Sequence, residues 1–238
     1  DWSTISLCGP NSRELLLEFP SNIDFSSKSF PYMTTKNGLI GDIPTRISRI
    51  SFTGEPTFEI SVPASYGLSL WTQLINAGQK YGITPYGTES MHILRAEKGY
   101  IIVGQETDGT VTPYDLGMSW IVNNNQDFIG KRSLLRSDIN RDGRKQLVGL
   151  LPDKVNEVLC EGAQIINNEK IETPMPMIGH VTSSYFSSNL KRSFALALLE
   201  NGRTRHGDTV YIYSYGDVTR AKITSPKFFD SMGSRLND

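Results

Sequence analysis

The stretch that decides the organisation of this chain runs from Leu94 to Pro113 and reads LRAEKGYIIVGQETDGTVTP. Its first half predicts the end of a helix that stops at Gly99, followed by a short buried strand, Tyr100–Val103. Its second half predicts a long polar loop stiffened by glycines and by Pro113. A loop this rich in hydrogen-bonding side chains, held between apolar segments, usually serves a site. The stretch therefore indicates a functional site in this part of the chain.

The composition is that of an ordinary soluble globular protein and excludes several classes of function. The chain has 238 residues and a formal net charge of −1, so it lacks the basic excess that nucleic-acid binding requires. No apolar run approaches the roughly 20 residues that cross a bilayer, and no signal peptide opens the sequence. Cys8 and Cys160 are far apart in sequence, and we expect two buried thiols in a reducing compartment. The expectation is a cytoplasmic protein with no nucleic-acid and no membrane partner.

Upstream of Leu94 the pattern alternates strands with helices. Ile5–Leu7 reads as a strand that leads through a Gly-Pro turn into a helix capped by Asn11 or Ser12. After a polar loop through Gly38, the pattern predicts two strands joined by a hairpin turn, and then two helices. These elements are strands Arg46–Phe52 and Thr57–Val62, a helix from about Tyr66 to Gly78, and a helix from about Thr88 to Lys98. Their order predicts a split βαβ (ferredoxin-like) sheet with helices on one face.

Downstream, the composition changes near Phe128, where a short helix, Lys131–Arg136, runs into a hydrophilic segment. Beyond it, short and evenly spaced strands predict a small antiparallel barrel or sandwich. The predicted strands are Gln146–Leu151, Ala163–Ile166, Ile178–Ser184, Ser193–Leu199, Thr209–Tyr215 and Thr219–Ile223. Hairpin turns are expected at Asn167-Asn168 and at Tyr215-Gly216-Asp217. The sequence therefore predicts the α+β class, with an α+β domain at residues 1–136 and a β-barrel domain at residues 145–238.

The residue types that carry common enzyme chemistry are sparse. His92, His180 and His206 stand alone, with no Cys or His at metal-ligand spacing, so no metal site is expected. No glycine-rich phosphate loop and no Gly-x-Ser-x-Gly motif is present. The sequence offers no nucleophile beside a base.

Glu59 has two interpretations. In the predicted strand Thr57–Val62 the apolar residues take one face, and Glu59 lies on the other. As a bare pattern this is typical of a solvated strand face. The functional interpretation is a carboxylate at the bottom of a cleft that accepts two parallel N–H bonds from a heterocycle. Arg95 and Glu97, judged by pattern alone, indicate a surface or interface ion-pair set.

Five segments follow one another in an order that is more specific than any of them alone. They are STISLCGPN (3–11), FTGEPTFEI (52–60), LRAEKG (94–99), DFIGK (127–131) and GHVTS (179–183). Together they resemble the glycine-cleavage T-protein (aminomethyltransferase) family. The segment RAEKGYIIVGQETDGTVTP (95–113) is most similar to one branch of that family, the C-terminal region of the α subunits of heterotetrameric sarcosine oxidases. In that branch the fold is fused to an amine-oxidising flavoenzyme.

The resemblance implies tetrahydrofolate as the ligand and assigns roles to two residues. In the family, the glutamate that matches Glu59 holds the pterin ring through its ring N–H and amino group. The aromatic residue that matches Phe52 is usually Tyr, so Phe keeps the apolar plane and loses the hydroxyl. Tyr185 and Trp120 are further candidates for lining the pocket, and a packed core aromatic is the alternative for each. The family often has Arg where Met91 stands, and this departure favours the oxidase branch.

The resemblance also implies what lies outside this chain. The family's catalytic aspartate precedes the Gly-Pro-Asn turn, in a segment upstream of Asp1, so no catalytic residue is assigned here. The fold is therefore expected to lack its N-terminal part, and the isolated chain is expected to be inactive. FAD, FMN and NAD are expected elsewhere in the intact complex, and the other subunits of a flavin-containing sarcosine oxidase are the expected protein partners. There the region would capture the one-carbon unit from oxidative demethylation of sarcosine as 5,10-methylenetetrahydrofolate.

Two alternatives remain open at the level of sequence. One is a free-standing aminomethyltransferase or folate-dependent demethylase that acts without flavin. The other is a non-catalytic assembly module that packs against a flavoprotein and has lost folate affinity. Neither the amine substrate nor the oligomeric state follows from the sequence.

Overall fold

Within residues 1–236, which the structure describes, the computed structural model contains ten β-strands and three α-helices. The chain divides into one unit made of Asp1–Leu94 with the segment from Asp230 onward, and a second unit made of Arg95–Phe229. The first unit contains a four-stranded sheet, and the second contains a closed six-stranded barrel. The predicted α+β class with a small antiparallel barrel is confirmed. The predicted domain limits at residues 136 and 145 differ from this division and stay a prediction.

The sheet of the first unit is antiparallel, with the strand order β1-β4-β3-β2. Its strands are β1 Trp2–Cys8, β2 Thr34–Ile40, β3 Ile43–Arg49 and β4 Thr57–Pro63. Strand β2 lies in the segment predicted as a polar loop. Most of its side chains are polar, but its backbone pairs along the whole of β3, and this pairing makes it a strand. All three neighbouring pairs are antiparallel, so β1 and β3 run in the same direction with β4 between them.

Three helices lie close to the predicted limits: α1 Ser12–Leu17, α2 Gly67–Gly78 and α3 Thr88–Glu97. The first two supply leucines to the core on one face of the sheet. Asn11 occupies the cap position of α1, but its side chain makes no capping hydrogen bond. Leucines of α1 and α2 pack with Phe25, Phe30 and Phe58, whose ring centroids lie 5.7 to 6.2 Å apart. The opposite face of the sheet carries the polar side chains of the strands.

The barrel of the second unit has the strand order β10-β5-β8-β7-β6-β9. Its strands are β5 Lys145–Pro152, β6 Gln164–Ile166, β7 Gly179–Ser187, β8 Arg192–Glu200, β9 Thr209–Ser214 and β10 Asp217–Thr224. All six correspond to predicted strands. The hairpin turn at Tyr215-Gly216 is present, with φ of 50° and 94°. The turn expected at Asn167-Asn168 is not a tight hairpin, because β6 ends at Ile166 and β7 begins only at Gly179.

The segment after α3 is a turn and not the predicted buried strand. The amides of Gln105 and Glu106 both donate to the carbonyl of Ile102, at 3.1 Å, and the Ile102 amide donates to the Glu106 carboxylate at 2.7 Å. These bonds close the backbone on itself, so only an isolated bridge between Val103 and Thr107 remains. Val103 is largely exposed. The short helix predicted at Lys131–Arg136 is reduced to a single 3-10 turn.

Candidate functional site

Glu59 lies on the polar face of the four-stranded sheet, in a row of side chains that crosses all four strands. The register places Thr35 beside Ser48, Ser48 beside Glu59, and Glu59 beside Ser6. Glu59 is half-buried. Within residues 1–236, its carboxylate has neither an ion-pair partner nor a side-chain hydrogen bond. A half-buried carboxylate with unused acceptor oxygens is available to bind a ligand that presents N–H groups.

A cavity of about 610 Å³ lies along β1 in the same unit. Residues Thr4–Ser12 form one side of it, and residues of α2, the following loop and α3 form the other. Most of the lining is apolar, as in sites for small organic molecules. The apolar lining side chains are Ile5, Leu7, Leu15, Trp71, Leu74, Ile75, Ile83 and Met91. Glu59 is not part of the lining, but its neighbour in the row, Ser6, is.

Tyr86 connects the cavity with Glu59. Tyr86 lines the cavity, and the side chains of Ser6, Cys8 and Glu59 lie close enough to its hydroxyl to affect its pKa. Burial raises the pKa of the Tyr86 phenol, and the nearby Cys8 thiol and Glu59 carboxylate act in the same direction. The phenol therefore keeps its proton at neutral pH and can donate it in a hydrogen bond. Tyr86 therefore lies between the cavity and the polar row that contains Ser6 and Glu59.

Phe52 lies half-buried in the loop between β3 and β4. This loop is fastened to the end of β1 at three points. The Cys8 thiol and the Thr53 hydroxyl are 3.0 Å apart, and the Pro56 carbonyl accepts hydrogen bonds from the Gly9 amide at 2.9 Å and the Ser12 hydroxyl at 3.2 Å. Cys8, Gly9 and Ser12 also line the cavity. The first unit thus brings the Phe52 loop, Glu59 and Tyr86 into one neighbourhood around β1.

Tyr185 and Trp120, the other two predicted pocket residues, belong to the second unit. Tyr185 is buried in the barrel, where its ring packs against Phe194 and its hydroxyl accepts a hydrogen bond from Arg95 at 3.4 Å. This contact matches the packed alternative for Tyr185. Trp120 is 79% exposed, so it is not a core aromatic. A ligand contact of either residue stays a prediction.

Arg95 and Glu97 are fully or almost fully buried, so the surface part of the expected surface or interface ion-pair set is wrong. Arg95 binds the Glu106 carboxylate at 2.8 Å and the Ser183 hydroxyl at 2.7 Å. Glu97 accepts hydrogen bonds from Ser187 at 2.6 Å and Asn189 at 2.9 Å. Partners from distant parts of the sequence therefore satisfy both groups inside the second unit, Arg95 by an ion pair and Glu97 by hydrogen bonds. These hydrogen bonds attach the first residues of the second unit to β7 and to the turn that follows it.

Asp115 and Arg144 form a second charged pair in this unit, beside a hollow of about 280 Å³. Arg144 donates to both carboxylate oxygens, at 2.9 and 2.5 Å, and the amide and hydroxyl of Thr112 each donate at 2.8 Å. Burial acts to raise the pKa of Asp115, but the hydrogen bonds from Arg144 and Thr112 outweigh it, so the pKa lies below its ordinary value. The pair is satisfied internally and has a structural role.

The Asp115 carboxylate is expected to make stability depend on pH at the acid end. Because its pKa is lower in the folded state, its contribution is complete above the ordinary Asp pKa of about 3.9 and is lost as the pH falls through the folded value. We expect Asp115→Asn to lower the free energy of unfolding at pH 7 and to flatten its decline below about pH 4. Urea unfolding between pH 7 and pH 3 measures both effects. If the free energy of unfolding fell equally with pH in the variant and the wild type, Asp115 would not be a source of this pH dependence.

Other classes of site receive no support from the part of the chain that the structure describes. No group of three or more His, Cys, Asp and Glu side chains among residues 1–236 could hold a metal ion. None of the described helices has the length and apolar character needed to cross a bilayer. Both cysteines are free, with Cys160 exposed and Cys8 partly buried, so the expectation of two buried thiols is corrected.

Sequence reasoning missed Tyr86 and Ser6, the residues that link Glu59 to the cavity. Tyr86 stands between Pro85 and Gly87, which is typical of a loop aromatic held in a defined place, and this pattern could have identified it. Ser6 offered no such indication. Its position opposite Glu59 depends on the register of β1 against β4, which pairs residues far apart in sequence.

Family models match the chain in two consecutive parts. The GCVT N-terminal domain matches residues 1–126, and the glycine cleavage T-protein C-terminal barrel domain matches residues 145–230. The second match coincides with the closed barrel, and the first contains Glu59, Phe52 and the cavity.

Two groups of curated relatives match nearly the whole chain. The chain is 46% identical to the sarcosine oxidase subunit alpha of Corynebacterium sp. (strain P-1) over 98% of its length, and 36% identical to that of Rhizobium meliloti (strain 1021) over 99%. In both comparisons it spans 24% of the relative. It is 31% identical to the aminomethyltransferase of Thermoanaerobacter pseudethanolicus over 95% of its length, and spans 59% of that protein.

The same architecture occurs in a solved structure. The chain superposes on the glycine cleavage system aminomethyltransferase T from Bartonella henselae with a TM-score of 0.78. The superposition covers 97% of this chain and 60% of that one, at 22% sequence identity. At this identity the likeness establishes the fold alone.

Proposed function

Because this chain belongs to the glycine cleavage T-protein family, we propose that it is the tetrahydrofolate-binding region of a sarcosine oxidase α subunit. The identity of 46% with one sarcosine oxidase subunit alpha, against 31% with an aminomethyltransferase, favours the oxidase branch over the free-standing enzyme. We propose a cytoplasmic complex with further subunits as the setting, in which FAD, FMN and NAD are bound outside this chain.

One observation carries the proposal: Glu59 is a half-buried carboxylate without a side-chain partner in residues 1–236, and Ser6, its neighbour across β1 and β4, lines a cavity of about 610 Å³. A carboxylate with two free oxygens accepts two parallel N–H bonds, and the edge of a pterin offers this pattern. The apolar lining suits the flat faces of a bicyclic ring. The residues present therefore fit the proposed ligand, with Glu59 as the acceptor and Tyr86 and Phe52 as aromatic neighbours.

The role proposed for these residues is to bind and to orient. When bound, tetrahydrofolate supplies the nitrogens that accept a one-carbon unit, and 5,10-methylenetetrahydrofolate is the product that we propose. Glu59 sets the direction of the ring, which determines where the reacting nitrogens lie. Tyr86 keeps its proton at neutral pH, so it donates a hydrogen bond and takes up no proton. The apolar side chains of the cavity exclude water from the ring faces.

Calorimetric titration of the full-length natural protein with 5-formyltetrahydrofolate, a stable reduced folate, tests the proposal. We expect binding by the wild type and a three- to tenfold weaker Kd for Tyr86→Phe, because one hydrogen bond is worth about 0.5–1.5 kcal/mol. Tyr66 is a matched control, because both tyrosines are 41% exposed and Tyr66 does not line the cavity. Tyr66→Phe should leave Kd unchanged. A wild-type protein that gives no heat of binding refutes the proposed function.

A further inference from the structure

The segment Asp230–Leu236, called here the C-terminal clamp, belongs to the first unit although it follows the whole barrel in sequence. The Asp230 carboxylate organises it locally. It accepts hydrogen bonds from the Ser234 amide at 3.0 Å, the Ser234 hydroxyl at 2.6 Å and the Arg235 amide at 3.3 Å. The clamp is therefore an ordered turn, and it presents Arg235 and Leu236 at its end.

Arg235 and Leu236 contact the first unit at two places. The Arg235 guanidinium donates to both oxygens of Glu55, at 2.8 and 3.0 Å. The carbonyl of Leu236 accepts a hydrogen bond at 3.0 Å from Arg49, whose buried guanidinium also binds the Phe30 carbonyl at 3.0 Å. The Leu236 contact is therefore tied directly to the core of the unit.

These two contacts lie on the two sides of Phe52. Arg49 ends β3 just before the Phe52 loop, and Glu55 stands two residues before the start of β4. Consecutive residues of the clamp therefore hold both flanks of the loop. Inside the loop, the residue after Phe52 is also held, because the Thr53 hydroxyl contacts the Cys8 thiol. With both flanks and one side held, few conformations remain for Phe52.

We propose that the C-terminal clamp positions Phe52 for the ligand, and that Arg235 is a positioning residue of the folate site. This inference rests on the proposed function, because it names what holds an aromatic wall of the same site. Arg235 acts through Glu55 and needs no contact with the ligand. A loop held in its bound conformation loses less entropy when the ligand binds, so the clamp raises affinity without a contact of its own.

The coupling is reciprocal. If the clamp strengthens ligand binding by some factor, the bound ligand strengthens clamp docking by the same factor. Trypsin cleaves after arginine, and Arg235 is held only while the clamp is docked. A bound reduced folate should therefore slow tryptic cleavage of the Arg235–Leu236 bond, which is followed by mass spectrometry. A clamp that only supported the fold, with no link to the ligand, would not produce this protection.

The test uses the full-length natural protein and 5-formyltetrahydrofolate. We expect Arg235→Ala to weaken Kd about fivefold, a typical size for coupling between sites. Glu55→Gln removes the partner carboxylate and keeps the tryptic site at Arg235, so this variant should lose the ligand-dependent protection. Arg235→Lys keeps the charge and should retain part of the affinity. The swapped pair Arg235→Glu with Glu55→Arg restores the attraction and should recover most of it. Arg220→Ala is the control, because Arg220 pairs with Asp153 in the second unit, and neither the Phe52 loop nor the cavity includes it.

The outcomes separate this inference from the proposed function. If the wild type binds and Glu59→Gln does not, while Arg235→Ala binds like the wild type, the clamp does not position the site and the function stands. An equal rate of tryptic cleavage at Arg235 with and without ligand also refutes the proposed role of the clamp. If Arg235→Ala fails to fold, Arg235→Lys decides by both readouts, and the swapped pair decides by Kd. Absence of binding by the wild type contradicts the function and the clamp together.

Discussion

Glu59→Gln is expected to weaken binding of a reduced folate at least about 100-fold. Each hydrogen bond to a charged acceptor contributes about 1.5–3 kcal/mol, and glutamine replaces one acceptor oxygen with an N–H donor that faces another donor. A combined loss near 3 kcal/mol corresponds to about two orders of magnitude in Kd. Calorimetric titration with 5-formyltetrahydrofolate measures this loss directly.

The same variant should leave the fold intact. Glu59 is half-buried, and within residues 1–236 its carboxylate has no side-chain partner that would be left unsatisfied. We therefore expect the Tm of the ligand-free variant to equal that of the wild type, while the rise in Tm on adding ligand disappears. Glu14→Gln, on the exposed side of α1, is the matched control and should keep both binding and Tm. Undiminished binding by Glu59→Gln would show that the carboxylate is not the pterin acceptor.

Arg95→Met is expected to lower the free energy of unfolding by about 3–5 kcal/mol, the typical effect of removing one partner from a buried ion pair. The side chains of Arg95 and Glu106 are both 0% exposed. Glu106 also accepts hydrogen bonds from the Ile102 amide and from Ser183. Without Arg95, its carboxylate remains buried with a charge that no cation compensates. Urea unfolding at pH 7 measures the loss.

A double variant separates the charge from the packing. Arg95→Met with Glu106→Gln leaves no charge at this pair, and the Gln side chain keeps hydrogen-bonding groups opposite Ile102 and Ser183, so the loss should be smaller than for Arg95→Met alone. Arg220→Ala is the exposed comparison, because Arg220 and Asp153 are 60% and 55% exposed, and it should change stability by less than about 1 kcal/mol. A loss below about 1 kcal/mol for Arg95→Met would show that the pair contributes little.

The barrel could be predicted from the sequence almost strand by strand. Its strands are short and rich in apolar residues, and a turn such as Tyr215-Gly216 ends a strand through backbone angles that glycine favours. These are local properties, so adjacent residues are sufficient to reveal them. Strand β2 was missed for the same reason, since its side chains are mostly polar and its strand character comes from pairing with β3.

The burial of Arg95 could not be inferred from its own segment. A charged residue near a helix end is usually exposed, and what buries Arg95 is Glu106 in the next loop and Ser183 in the barrel. The candidate site also depends on contacts between residues that are distant in sequence. The motif around Phe52 and Glu59 points to a ligand, but the loop of Tyr86, the edge of β1 and the C-terminal clamp reach it from separate parts of the chain.

The sequence by itself determined the family, the fold class and the face of β4 on which Glu59 lies, because motif order and strand alternation are written in neighbouring residues. Only the tertiary structure decided that Ser6, the neighbour of Glu59, lines a cavity, that Tyr86 lies near both, and that Arg235 contacts Glu55 in the Phe52 loop. Each of these depends on strand register and loop packing between residues distant in sequence. Such contacts are set by the free energy of the whole fold, and no single segment encodes them.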